Sequence, residues 1–343
     1  MNSQNRSRQY DYEYMSPEER RRIIEIKRRR AKKRRRARLI RFIVRSTFIL
    51  FLMIVVGIYS VKFVQKISSL AEGNTEQISN DQNGDKSNIN NNKDGQEHDS
   101  NPVMQYNVEA PKVREENEII SRLKNLSETY PDFKEIYENR SAYPKDLISS
   151  LCNNPEMIDF VKGYLTADRN VSGGLTKKEL SSDFPLLLQW DKRWGYKTYG
   201  DNDIALSGCA PTCLSMVIVA LTKNKEATPN AVADFAMKNG YYIIGTGTKW
   251  SLMTEAGQKF GIQGRVLSLS KSSVISELEN GHPIICSLRP GDFTTTGHFI
   301  VLVGTQDGKI RVNDPNCRER SNTLWDYDTL EHQIKNLWSF TQN

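Results

Sequence analysis

Histidine is scarce in this chain, four residues in 343, so chemistry that needs an imidazole has only His98, His282, His298 and His332 to draw on. No run of the Gly-x4-Gly-Lys-Ser/Thr kind occurs, which excludes a phosphate loop of that type. Cysteines number five, an odd count that suggests at least one thiol stays free if the chain is exported. A zinc site on Cys209, Cys213 and His298 would lack a fourth ligand, and Cys209-x3-Cys213 on one helix lacks the tight knuckle of structural zinc sites. Apolar residues almost vanish between Glu72 and Asn101, so that stretch cannot repay the entropy of folding. The basic run Lys27 to Arg38 has no aromatics, which leaves a nucleic-acid role with phosphate attraction alone and no bases to stack; no nucleic-acid partner is expected.

What the chain has in excess is one-sided charge. The first 45 residues hold 17 Lys and Arg against five acids, a surplus of +12 that exceeds the whole chain's +7 and leaves the remainder at −5. This basic tract runs directly into the uncharged stretch Ser46 to Val61. Extended to 42–64, with Arg45 and Lys62 snorkelling outward, it gives roughly 23 helical residues, enough to cross a lipid bilayer. The positive-inside rule then leaves 1–41 as a basic cytoplasmic tail and exports the rest, so the expectation is a single-pass cell-membrane protein. Ser16-Pro17-Glu18-Glu19 reads as a capping box with proline at the first helical position, and the helix behind it suits the anionic inner leaflet. A cleaved signal peptide, with Ser69-Leu70-Ala71 as its small-residue site, is the alternative. It sits poorly with so long a basic region and with Lys62 and Lys66 intervening.

Beyond the span, residues 65–112 read as a flexible polar stalk. In 113–183 the apolar residues recur at helical spacing: Ile119, Ile120, Leu123 and Leu126, then Leu147, Ile148 and Leu151, then Ile158, Val161 and Leu165. Pro131, Pro144 and Pro155 punctuate these short helices. From 184 to 343 strand-like runs appear at Pro283 to Leu288, Phe299 to Val303 and Ile310 to Val312, and about 160 residues suffice for one buried α+β domain. Tyr137, Tyr143, Phe160 and Tyr164 are the residues expected to dock the helical segment onto that domain.

Ser207-Gly208-Cys209-Ala210-Pro211-Thr212-Cys213 is a glycine turn followed by a proline suited to a first helical turn and then an apolar helix, which sets Cys209 at a helix N-terminus. Unpaired N–H groups and the helix dipole there favour a thiolate nucleophile, although a core cysteine at a helix start would read the same way. A cysteine nucleophile needs a base and a group to orient it. His298 follows Gly297 and opens a strand, and the next strand ends in Asn313-Asp314-Pro315. The midpoint of 298 and 314 is Gln306, inside the turn-like run Gly304 to Gly308. A hairpin centred there sets His298 opposite Asp314 on one face, about 5 Å apart; a turn on Asp307-Gly308 alone would move the register by three residues. The plain alternative is a capping Asp and an exposed His. Gln189, in Leu186-Leu187-Leu188-Gln189-Trp190-Asp191, is the candidate oxyanion donor from a strand beside the nucleophile helix, or else a surface residue. Trp250 could line a substrate groove or pack in the core.

Together, Gln189-Trp190-Asp191-Lys192-Arg193-Trp194-Gly195, the Gly208 to Thr212 turn, Gly297-His298-Phe299 and Val312-Asn313-Asp314-Pro315 resemble the papain-like cysteine peptidases of the bacteriocin-leader-processing type. The resemblance implies an α+β papain-like peptidase domain with Cys209 as nucleophile, His298 as general base, Asp314 as orienting carboxylate and Gln189 as oxyanion donor, acting on a peptide or protein substrate without metal or cofactor. Relatives that cut leaders are fused to ATP-driven exporters and work on the cytoplasmic side, unlike this single-span arrangement. A cell-wall peptide amidase or transpeptidase on the same fold, and a non-catalytic peptide-binding module, remain the alternatives.

Overall fold

The computed structural model describes residues 106–343. The expected tail 1–41, the span 42–64 and the stalk up to residue 105 lie outside the described residues. Among the described residues no helix is long and apolar enough to cross a membrane.

The helical segment begins where the sequence supplies a cap. Helix α1 (Glu116–Thr129) starts with a capping box between Glu115 and Glu118 and stops at Tyr130, just before Pro131. Helix α2 (Lys145–Asn153) follows Pro144, and α3 (Ile158–Gly163) follows a single turn at Pro155–Met157 that the Asn154 side chain caps. Leu123, Leu126, Ile136, Leu147, Leu151 and Val161 meet in one apolar cluster. That cluster does not close on itself. It is completed by Leu188, Trp190, Tyr196 and Ala205 of the following domain, so the helices bury their apolar stripes both on one another and against that neighbour. Phe160 stacks on Tyr196 with centroids 4.3 Å apart, the Tyr196 hydroxyl donates to the Phe160 carbonyl (2.9 Å), and the Tyr164 hydroxyl donates to Asp203 (2.7 Å). Phe160 and Tyr164 thus touch the following domain; Tyr143 is buried in the shared cluster, and Tyr137 lies under the Arg140 guanidinium of its own segment. Packing begins before residue 113. Tyr106 lies edge-on to Tyr130 (5.0 Å), and the Lys112 backbone exchanges two hydrogen bonds with the Asn153 side chain.

The following domain pairs two helices, α4 (Cys209–Thr222) and α5 (Pro229–Lys238), with a six-stranded sheet. Its strands are β1 (Ile262–Val266), β2 (Ile284–Leu288), β3 (His298–Gln306), β4 (Lys309–Asn313), β5 (Leu324–Trp325) and β6 (Ile334–Gln342). They lie in the order β1-β6-β2-β3-β4-β5, antiparallel throughout. Two further helices, α6 (Lys271–Glu279) and α7 (Arg318–Asn322), connect them. Both faces of the sheet are covered: Ile285, Phe299, Val301 and Trp338 pack with α4, while Cys286, Ile300, Leu302 and Leu337 pack with α6 and with Tyr327 and Leu330. Burial on both faces is why β2 and most of β3 are apolar without alternation.

The β3–β4 hairpin departs from the register centred on Gln306. Its turn is Asp307-Gly308, both with positive φ (52° and 73°), the combination that a two-residue type I′ turn requires. Gln306 therefore pairs with Lys309 and Gly304 with Arg311, but after an irregularity between Leu302 and Gly304 the pairing becomes Leu302 with Val312 and Val301 with Asn313. One residue is absorbed there, and this restores parity. Continued past Asn313, the ladder sets Asp314 beside Ile300, two residues along from His298 and on the same side, a diagonal rather than a directly opposed pair.

Candidate active site

Cys209 is the first residue of α4, immediately after the short helix Ile204–Ser207. The two helices join tightly because Gly208 has no side chain: a Cβ at that position would stand 2.6 Å from the Ile204 carbonyl oxygen and 2.5 Å from its Cγ2. Pro211 lies in the first turn, where its missing N–H is one that no helical carbonyl would have accepted. From Ala210 to Val219 the helix is buried, and the half-buried Cys209 is held at its exposed end. All five cysteines are free thiols, and the other four are buried.

His298 opens β3 opposite Leu288 of β2. Its Nε2 lies 2.7 Å from Asp314 Oδ1, and Cys209 is near enough to act on the ring electrostatically. The ring is only 7 % exposed and Asp314 is fully buried. Burial alone would push the imidazole down, but the Asp314 charge and hydrogen bond, together with the influence of Cys209, outweigh it and raise His298 to about 9.

Asp314 is itself held from three sides. Oδ1 also accepts the Asn316 backbone N–H (2.8 Å), Oδ2 accepts Arg320 Nε (2.6 Å), and the Asp314 N–H donates to Ser321 Oγ (2.9 Å). Burial opposes its ionisation, yet the Arg320 guanidinium and His298 overcome it and lower Asp314 to about 2. Arg320, 6 % exposed, is a residue that sequence reasoning missed. In Arg318-Glu319-Arg320 it reads as one more charge on a surface turn, and only the nearby Asp314 hints that one of the two arginines turns inward.

Gln189 is not in a strand: residues 186–188 are irregular and Gln189 opens a turn. It is nonetheless placed beside the short helix that leads into α4. Its Nε2 donates to the Ala205 carbonyl (2.7 Å), its backbone N–H donates to the Pro315 carbonyl (2.7 Å), and its Oε1 is buried without a partner. The segment carrying Gln189 and the loop following Asp314 are thus tied directly. Trp250 is 37 % exposed. Its ring contacts are edge-on with Trp338 (5.7 Å) and beneath Lys335 Nζ (5.8 Å), rather than with the His298–Asp314 pair. Of the remaining histidines, His282 pairs with Glu277 (3.1 Å), His332 is exposed, and His98 lies outside the described residues. Among the described residues no group of three His, Cys, Asp or Glu could hold a metal ion.

The mixed helix and sheet arrangement is C39 peptidase-like. Residues 181–343 match the model of the Peptidase_C39 like family. Similar solved structures include the peptidase domain of Streptococcus ComA, a bifunctional ABC transporter involved in quorum sensing, at 16 % identity over 39 % of this chain and 93 % of that one, with a TM-score of 0.30. A C39-like peptidase from Bacillus anthracis is 15 % identical over 47 % of this chain and 95 % of that one, with a TM-score of 0.28. A double-glycine-motif protease from an AMS/PCAT transporter, in complex with its leader peptide, is 14 % identical over 39 % and 86 %, with a TM-score of 0.27. No match is found among the curated proteins.

Proposed function

We propose that residues 184–343 form a cysteine peptidase that hydrolyses peptide bonds through Cys209, His298 and Asp314, carried on the outer side of the cell membrane by the span 42–64. The observation that carries this reading is the position of the His298 ring, held by a buried carboxylate at Nε2 and raised by that carboxylate and by Cys209 nearby. At neutral pH an imidazole raised in this way holds its proton and stabilises a neighbouring thiolate.

The Cys209 sulfur attacks the scissile carbonyl carbon, and the oxyanion that forms is met by the Cys209 backbone N–H and the Gln189 amide, one of whose hydrogens already serves Ala205. His298 gives its Nδ1 proton to the leaving amine as the C–N bond breaks. Water then attacks the thioester, His298 takes its proton, and the acid product leaves with the thiolate restored. Asp314 keeps the ring in one orientation throughout.

The test is Cys209→Ala and His298→Ala in the full chain, assayed on an unstructured protein and on muropeptides. Each variant should lose turnover with unchanged circular dichroism, and full turnover by either rejects the reading. Preference for muropeptides would move the substrate to cell-wall peptide on the same chemistry. Labelling of Cys209 in intact cells by a membrane-impermeant thiol reagent tests the location; its absence there, with labelling after lysis, rejects an outward-facing domain.

A further inference from the structure

The loop that carries Asp314 away from β4 is held in part from outside the family domain. The Asn316 carbonyl accepts Trp190 Nε1 (2.8 Å) and also the Asn154 side-chain amide, 162 residues away in sequence. The Glu156 carboxylate takes the two N–H groups that open α7, Arg318 N on Oε2 at 2.7 Å and Glu319 N on Oε1 at 2.9 Å. The Arg318 guanidinium lies over the Trp190 ring at 4.7 Å. Asn154 is itself nearly fully buried, and its Oδ1 accepts the Glu156 N–H (3.2 Å), so both residues come from one rigid turn of the helical segment.

The next residue along is Arg320, whose Nε grips Asp314 Oδ2. The first N–H groups of a helix have no partner within it, and a carboxylate there both satisfies them and favours the dipole. With Glu156 removed, the opening turn of α7 loses two of its acceptors and the Arg320 backbone loses its fixed start. The Asn316 N–H, the second donor to Asp314, lies on the same loop. We infer that Asn154 and Glu156 are positioning residues that act through the 315–320 loop to fix the Asp314 carboxylate against His298, so that the helical segment 113–183 is a working part of the site and not a spacer. This rests on the peptidase reading and deepens it.

The charged and titratable groups concerned are few. His298 faces Asp314 and Cys209; Asp314 faces His298 and Arg320; Arg320 faces Asp314, Cys317 and, across the segment boundary, Glu156. A loosened carboxylate supports the imidazolium less well, so the defect should show as a change in pH dependence and not only as lost stability.

The experiment uses the full chain and follows Cys209 alkylation by iodoacetamide from about pH 5 to 10, read by peptide mass spectrometry, with His298→Ala as the control that identifies the histidine-dependent part of the profile. In the unaltered protein that part should end near pH 9, where His298 loses its proton. Glu156→Ala and Asn154→Ala should move it down by about one pH unit and slow alkylation about two-fold at pH 8, while Glu156→Gln, which keeps one acceptor oxygen, should fall between. If Glu156→Ala fails to fold, Glu156→Gln carries the test. A profile unchanged in folded Glu156 and Asn154 variants, with the His298→Ala control still effective, overturns the positioning role alone. A profile that His298→Ala does not alter overturns the peptidase reading and this inference with it.

Discussion

Replacing Asp314 by Asn removes one charge and almost no volume, and two separate losses follow. The first is at His298. With the carboxylate present the imidazole is raised to about 9, so at pH 8 about 90 % of molecules hold the imidazolium. Without it burial is left to act, and the ring falls to its ordinary value or below, where about 3 % or less is charged at pH 8. Turnover of an unstructured protein substrate at pH 8 should therefore drop at least about 30-fold, and the alkaline limb should move from near pH 9 to below about pH 6.5. The second loss is at Arg320, whose buried guanidinium is left facing a neutral amide, with Nη1 already lacking a partner. Removing one member of a buried pair costs about 3–5 kcal/mol. Asp314→Asn combined with Arg320→Met should recover much of that stability by calorimetry without restoring the alkaline limb. An Asp314→Asn protein that keeps its limb near pH 9, or a double variant that regains it, would refute the assignment of the His298 charge to Asp314.

Stability should also depend on pH through the same groups. His298, raised above 6.5, contributes fully below that pH and loses its contribution as pH rises through about 9; Asp314, lowered from 3.8, contributes above that value and loses it as pH falls through about 2. The thermal midpoint should therefore be flat between about pH 3.8 and 6.5 and decline outside that range, and His298→Ala should remove the alkaline decline; an unchanged decline points to another group. Iodoacetamide at pH 7.5 should label Cys209 first, because burial pushes Cys152 up to about 11 and Cys317 up to about 12 and raises Cys213 and Cys286 well above the ordinary thiol value; equal labelling of several cysteines contradicts the burial. Gln189→Ala should lower kcat about 100-fold with little change in KM, whereas a rise in KM alone would mark Gln189 as a binding residue. Phe160→Ala, which deletes a ring stacked on Tyr196, should cost about 3–5 kcal/mol in urea titration; a loss under about 1 kcal/mol would mean the helical segment is held by its other contacts.

The residues that meet in the site are legible in the chain to different depths. Cys209 stands out because glycine before it and proline after it spell a helix start. His298 and Asp314 stand out because two apolar strands flank a turn, yet the pairing reached from numbering alone took the wrong centre: the Asp307-Gly308 turn and the irregularity near Val303 are two displacements that partly cancel. Gln189 is near the Asp314 loop without being in a strand, since Leu186 to Leu188 are apolar to fill the space between two clusters and not to alternate in a sheet. Arg320 carries no local signal beyond the nearby Asp314, and Glu156 carries none. Charged residues in short polar turns look alike whether they face water or a buried carboxylate, and only tertiary packing decides which. The same holds for Phe160 and Tyr164, whose helical spacing marks them as apolar without naming their partner.

The irregular pairing near Val303 carries a consequence for how the domain is judged after refolding. A hairpin that zipped up around Asp307-Gly308 without absorbing that extra residue would keep most of its ladder and much of its greasy interior, and by bulk spectroscopy would pass as native. It would nevertheless turn Asp314 to the far side of the sheet from His298. Preparations with identical spectra could then differ in the share of molecules able to react, and titration of the reactive thiol would count the competent ones where folding probes could not.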